Sequence, residues 1–353
     1  MIDTIAKLPK WLTRGLVLPL LVLNGWLLIL VFEYFQSLIT IFATATLLSF
    51  ILDYPVRFLE KRQIKRAIAI LIVLLTGILL LSVIGVTIIP ILLDQLYGLL
   101  ERLPIWVASG SEQAKAFEIW ADERNFPISI SSLVSDSLSR ISYQLQQISG
   151  QILGSFFSVV GSLLNLLLTI VLTFYLLLHG SELWQDLFQI VPNNLGDETR
   201  QSLKQTFNNY FVGQLTVALV MGVTMTTAFV IIQVPFSFLF GLVIGIMALF
   251  PFGAALSISV VSFLMALKSI WLGLKVLAIA FILDQVVESV IAPRLLGGFT
   301  GLNPVLILLS LLIGAQLGGF LGLILAVPAA SFIKSLLVIF KSQPEPSELP
   351  INV

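Results

Sequence analysis

The 353 residues are 58% hydrophobic and only 11% charged, against roughly 45 to 50% and about 25% in soluble globular domains. With a mean hydropathy of +1.05 there is too little polar surface to cover a water-soluble particle, so lipid must do the covering. The 19 Lys and Arg balance 19 Asp and Glu, which removes the basic excess that draws a domain to nucleic acid. Cys is absent and His179 is the only histidine, so disulfides and His- or Cys-rich metal clusters are excluded, and no metal or cofactor is expected.

A bilayer core about 30 Å thick needs roughly 20 apolar residues of helix. Stretches without Asp, Glu, Lys or Arg run over 15–32, 34–52, 67–93, 141–181, 205–267 and 295–333, enough for about eight hydrophobic segments. The expected fold is an all-α integral membrane protein of transmembrane or re-entrant helices with one polar, partly helical external segment. The first run follows Lys7, Lys10 and Arg14 but has no small-residue cleavage site, and reads as a retained span rather than a signal peptide. The second ends near Asp53 and Pro55, ahead of Arg57, Lys61, Arg62, Lys65 and Arg66, a loop the positive-inside rule places in the cytoplasm. With alternating spans, Arg200, Lys204, Lys334 and Lys341 fall on the same side and both termini are cytoplasmic.

The division expected is 1–89, a cytoplasmic start with three spans; 90–151, a polar external amphipathic segment; 152–340, a transport core; and 341–353, a Pro-rich disordered tail. In the second part, Leu133, Val134, Leu138, Ile141, Leu145 and Ile148 recur at helical spacing. The core holds two interrupted segments, 235–267 and 302–333. The first starts at Pro235 and breaks at Pro251-Phe252-Gly253; the second starts at Asn303-Pro304 and breaks around Gly314, Gln316, Gly318, Gly319 and Gly322. Arms of about 14 residues are too short to cross alone. Either a broken, tilted helix or a re-entrant hairpin satisfies the pattern, and paired interruptions point to a midplane transport site, because free backbone groups are tolerated at that depth only where they line a cavity. Gly241 and Gly245 also form a G-x-x-x-G pair that lets helices approach closely.

Between the interruptions, Asp284 and Glu288 lie four apart in an apolar run with Gln285, followed by Pro293 and Arg294. Four residues apart is one helix face, and acids in a span are candidates for a substrate or proton path; pairing of Glu288 with Arg294 at the interface is the competing reading. Gln214 and Gln316 are further polar candidates, although such residues more often make an interhelical hydrogen bond than bind solute. No Lys follows a Gly, so a phosphate-binding loop is missing, and no enzyme chemistry is expected.

The succession Tyr210-Phe-Val-Gly213-Gln214, Phe250-Pro251-Phe252-Gly253, Gln285-Val-Val-Glu288, Pro293-Arg-Leu-Leu-Gly297, Leu302-Asn303-Pro304, Gly319-Phe-Leu-Gly322 and Ala326-Val-Pro-Ala329 resembles the autoinducer-2 exporter family of bacterial permeases. The resemblance covers about 15–340. It implies a multi-pass protein of the bacterial plasma membrane, homo-oligomeric and expected to be a pentamer, that moves small solutes out of the cell. The expected function is a secondary transporter of a small polar, autoinducer-2-like solute working by alternating access, with proton linkage open. A sodium or lithium/proton antiporter and a non-transporting scaffold are the alternatives. The expected substrate or ion path comprises Asp284, Gln285, Glu288, Arg294, Pro251, Phe252, Gly253, Gln316, Gly318, Gly319 and Gln214.

Overall fold

A computed structural model describes residues 19–20, 22–27, 30–31, 33–124, 163–188, 193–296 and 302–341. The expected amphipathic stretch at 133–148 and the tail beyond 341 lie outside them. Every described regular element is helical: α1 (Gln36–Glu60), α2 (Arg66–Asp122), α3 (Leu163–Phe188), α4 (Asn193–Ile231), α5 (Ser237–Met247), α6 (Gly253–Lys268), α7 (Ile270–Val286), a π-helical turn (Val287–Ile291), α8 (Ala292–Leu296) and α9 (Pro304–Lys341). Among the described residues five helices are long and apolar enough to cross a bilayer by length and composition, and three shorter apolar helices accompany them. The chain is an all-α integral membrane protein.

The longest element joins the first two of the expected divisions. α2 has 57 residues, about 86 Å at 1.5 Å per residue, and runs straight through the boundary placed after residue 89. Its charge-free part, 67–93, suits the bilayer; from Asp94 onward it continues as a polar helix. The helix persists because the loss of hydrophobicity is one-sided. Gln95, Gly98, Arg102, Trp106 and Gln113 succeed one another at turn spacing, and Leu103 and Trp106 remain buried in the main core.

That core is built from α4, α5, α6 and α7 against this half of α2, with Met221, Met225, Phe229, Ile244, Met265 and Val276 almost wholly buried. A second cluster joins Leu47 of α1, Tyr210 and Phe211 of α4 and Leu302, Leu311, Ala326 and Val327 at α9. A third packs Val56 of α1 and Leu177 of α3 onto Ala69, Ile70 and Val73 of α2. Beside the third cluster the basic loop is organised by Arg66, whose guanidinium pairs with Glu60 at 3.0 Å, lies 3.6 Å from Asp53 and donates to the Leu177 carbonyl at 2.8 Å.

α4 is the spine between the two interrupted segments. Its N-terminal part meets α9 through Tyr210 and Phe211, while its C-terminal part packs antiparallel on α5. There, a Cβ on Gly241 would lie 2.6 Å from the Thr226 Cα, and one on Gly245 would lie 2.7 Å from the Gly222 Cα. Only hydrogen at these positions permits such backbone contact, so the G-x-x-x-G pair at 241 and 245 serves packing.

Candidate functional site

The first interruption is a V whose apex is the Pro-Phe-Gly break. α5 has 11 residues and α6 has 16, about 16 and 24 Å at 1.5 Å per residue, each shorter than a crossing. Between them Phe252 adopts a left-handed conformation (φ 66°), and Gly253 fits because a Cβ there would strike the Met247 carbonyl. The register of α5 on α4 carries the apex inside the span Tyr210–Ile231. At that depth Gln214 donates its amide to the Ala248 carbonyl at 2.6 Å, which satisfies a C-terminal acceptor of α5 that water cannot reach. Gln214 therefore holds the apex from within α4.

Both outer ends of the V are attached to the polar half of α2. The Gln95 Oε1 accepts from the Leu239 N–H at 2.9 Å. Gln113 makes two bonds at the connection between α6 and α7: it donates to the Leu267 carbonyl at 3.0 Å and accepts from the Ile270 N–H at 3.0 Å. Between these anchors the Phe236 ring sits over Gly98, tilted on Trp106 with centroids 6.0 Å apart and with the Arg102 guanidinium 5.7 Å from its centroid. The V thus opens toward the polar end of α2, away from the basic loop.

The second interruption is tighter. α9 counts as one helix by hydrogen bonding, yet Gly319 has φ 55° and ψ −132°, a conformation open essentially to glycine. In a straight helix Gly314 and Gly322 would stand about 12 Å apart. Here a Cβ on Gly314 would lie 2.9 Å from both the Gly322 carbonyl carbon and the Ala326 Cβ, and one on Gly322 would reach back to the Gly314 backbone. The chain has reversed, and Pro304–Ser335, apolar and long enough to cross, is a hairpin of two arms in backbone contact. Asn303 starts it, its side chain accepting from the Val305 N–H at 3.0 Å, with Pro304 at the first helical position where the missing N–H costs nothing.

The two reversals touch. Phe250, next to the apex of the V, packs edge-to-face on Phe320, next to the bend of α9, with ring centroids 5.3 Å apart. Asp284 approaches the same region. Gly273 of α7 lies against α6, where a Cβ would be 2.6 Å from the Ala266 Cα, and only Ser269 separates the two helices; continued toward the apex, this antiparallel register brings Asp284 level with Ala255 in the first turn of α6. Asp284 is 5% exposed, and its Oδ1 has no hydrogen-bond partner among the described residues. That first turn has no side-chain cap, and the Ala254 and Ala255 N–H groups have no partner among the described residues. The Tyr210 hydroxyl, buried beside α9, is likewise unpartnered.

The structure gives different surroundings to the two acids that the sequence placed on one face. Asp284 is buried, whereas Gln285 and Glu288 are exposed. A π-helical turn begins at Val287, immediately before Glu288. Arg294 is exposed and forms no ion pair with Glu288 among the described residues, so the competing reading of an interfacial pair is not seen there. Gln316 is exposed near the bend without a hydrogen-bond partner among the described residues, and Gly318 and Gly319 have open space where a Cβ would go. Pro251, Phe252 and Gly253 stand at the apex itself. Among the described residues no group of acids and histidine could hold a metal ion. Gln95 and Gln113 had no signal as isolated residues beyond the helical spacing of Gln95, Arg102, Trp106 and Gln113, and Tyr210 stood out only as the first residue of the Tyr210-Phe-Val-Gly213-Gln214 motif.

The family model described as "AI-2E family transporter" matches residues 16–341. The chain is 42% identical over 329 residues to "Putative transport protein sll0060" of Synechocystis sp., covering 93% of this chain and 96% of that one. It is 29% identical over 308 residues to "Putative transport protein YueF" of Bacillus subtilis (82% and 81% covered), and 24% identical over 331 residues to "Putative permease PerM" of Escherichia coli K12 (86% and 88% covered). An all-helical membrane chain with two chain reversals in contact, matched from residue 16 to residue 341, belongs to the AI-2E transporter family.

Proposed function

We propose that the protein is a secondary transporter that exports a small polar solute by alternating access between the two reversals. The observation that carries this reading is the contact of Phe250 with Phe320, which joins two non-crossing elements; Asp284, level with the first turn of α6, is buried with an Oδ1 that has no hydrogen-bond partner among the described residues. Interrupted helices that meet within a span expose backbone groups where a solute can reach them, and their separation opens a path. The chemistry on offer is mixed. Asp284 accepts hydrogen bonds, the Ala254 and Ala255 N–H groups donate them, and the Tyr210 hydroxyl does either. A hydroxyl-bearing organic solute of the autoinducer-2 type suits such a set better than a purely anionic one. Asp284 is the residue that binds solute or carries a linked proton; Pro251, Phe252, Gly253, Gln316, Gly318 and Gly319 form the two faces that part; Gln214 positions the first of them. Gln285, Glu288 and Arg294 lie on the exposed continuation of the same element, along the exit path.

Orientation comes from charge. The loop carrying Arg57, Lys61, Arg62, Lys65 and Arg66 is assigned to the cytoplasm, which places the polar half of α2 outside, opens the V outward and opens the α9 hairpin inward, with both termini cytoplasmic. The protein then acts in a bacterial plasma membrane. The test is flux from proteoliposomes across a panel of hydroxylated small solutes, with and without an imposed pH gradient. Asp284→Asn is expected to lower flux at least about tenfold, equivalent to about 1.4 kcal/mol in the barrier, while leaving the protein folded. Flux and pH response equal to those of the unaltered protein would sink the assignment.

A further inference from the structure

The basic connection between α1 and α2 is a fixed turn. Gln63 stands at φ 64°; its N–H donates to the Glu60 carbonyl at 2.9 Å and the Ile64 N–H donates to the Leu59 carbonyl at 3.4 Å, the paired bonds that close a helix C-terminus through a left-handed residue. Leu59 and Ile64 both pack on the third cluster. Residues 53–66 carry five basic side chains and two acids, and the structure divides the five. Arg57 pairs with Asp53 at 2.7 Å, and Arg66 pairs with Glu60 at 3.0 Å, so both acids are taken. Lys61, Arg62 and Lys65 are exposed and form no ion pair among the described residues. The segment's surplus of three positive charges thus sits on these three residues. The Arg62 guanidinium lies 4.9 Å from the centroid of the exposed Phe58 ring, a stacking contact that leaves its N–H groups free to donate. Depth follows from the helices on either side. Both are apolar and long enough to cross, and Lys65 stands two residues before the charge-free stretch that opens at Ala67, so the patch is level with the headgroup layer, where aromatic and basic side chains anchor.

We propose that Lys61, Arg62 and Lys65 bind the phosphate of an anionic phospholipid headgroup, with Phe58 against the upper part of its acyl chains. Charge and depth select the occupant together: three uncompensated cations on a fixed turn favour an anion, and at that depth the anion supplied in excess is the lipid phosphate. The positive-inside effect counts all five basic residues alike, whereas this site uses only the three that the acids leave over. It is independent of the transported solute and of the two reversals.

The test is native mass spectrometry of the full chain, purified in mild detergent from vesicles of equal phosphatidylglycerol and phosphatidylcholine and read as the ratio of the two lipids retained. The unaltered protein is expected to prefer phosphatidylglycerol at least about fivefold, the ratio matching about 1 kcal/mol for a single basic residue near an anionic surface. Purification at high salt should weaken that preference, as exposed charges are screened. Lys61→Gln, Arg62→Gln and Lys65→Gln should each lower the ratio, and the triple variant should bring it within about twofold of unity; the single variants decide the matter if the triple variant does not fold. Arg57→Gln removes the same formal charge from a residue already paired with Asp53 and should stay within about twofold of the unaltered ratio. No preference in the unaltered protein, a preference kept in all three single variants, or a loss at Arg57→Gln equal to theirs would each overturn the proposal. Displacement of phosphatidylglycerol by excess inorganic phosphate would overturn it as well, by assigning the three cations to a soluble anion.

Discussion

The two interrupted segments share a sequence grammar, a proline near the start and a Gly/Pro break in the middle, yet they are held in different ways. The V of α5 and α6 is braced from outside. Gln95 and Gln113 grip its outer ends from α2, Gln214 holds its apex from α4, and its buried face lies in the largest core. By helix rise about 27 Å separates the two α2 anchors, comparable to the arms themselves, so the arms splay and cannot support each other. The α9 hairpin does the opposite. Its arms touch backbone to backbone at Gly314 and Gly322, while Val305, Leu306, Leu308, Leu309, Leu312 and Ile313 on its first arm stay exposed and a cavity separates it from α1. An interruption can thus be stabilised by neighbours or by its own glycines, and the two cases fail under different substitutions.

The largest effect is expected at the self-supporting hairpin. Gly322→Leu inserts a branched side chain where even a Cβ would strike the Gly314 backbone. Neither arm can yield without opening the bend, so overpacking of about 3 kcal/mol is expected, seen as a fall in unfolding temperature and in yield of monodisperse protein. If Gly322→Leu unfolds at the temperature of the unaltered protein, the arms are not in contact and the contrast between the segments collapses.

An intermediate effect is expected at the brace. Gln113→Leu strands the Leu267 carbonyl and the Ile270 N–H at the connection of α6 and α7, and Gln95→Leu strands only the Leu239 N–H. A lost hydrogen bond with its partner left unsatisfied costs about 1 to 3 kcal/mol; partial exposure of these groups puts Gln113→Leu near 2 kcal/mol and Gln95→Leu near 1 kcal/mol on that scale. Amide hydrogen exchange should localise the loss, with faster exchange at Gly273 and Leu274 in the first variant and at Phe240 in the second. Equal protection in both variants would mean that the V is held by its core alone.

Legibility in the sequence splits along the same divide. Proline and glycine act on their own backbone, so the breaks at Pro251 to Gly253 and at Gly318 to Gly319 are readable one residue at a time, as are the spans and the Asn303-Pro304 start. A brace is not readable that way. Gln113 gains its meaning from Leu267 and Ile270, more than 150 positions later, and a lone glutamine in a polar helix carries no trace of it. The persistence of α2 past residue 89 was visible only as a weak stripe, because composition changes at the bilayer surface while helical hydrogen bonding does not. Asp284 and Glu288 looked alike because spacing of four marks a shared helix face but not burial, and packing covers Asp284 while Glu288 stays exposed. The contact of Phe250 with Phe320 joins two breaks that the sequence could only present separately.

The finest contrast separates two neighbouring glycines. Gly318 and Gly319 both have open space where a Cβ would stand, but only Gly319 has a positive φ, 55°. Gly319→Ala must hold alanine in a conformation that disfavours any Cβ, at about 1 to 3 kcal/mol. Gly318→Ala meets no such strain and gains the helical preference of alanine, up to about 1 kcal/mol, so its unfolding temperature should stay level or rise slightly. If the second glycine served only to let helices approach, the two variants would behave alike, since neither position has a neighbour to clash with. A loss at 319 alone therefore reports the bend itself, and a loss at 318 alone would place the reversal one residue earlier.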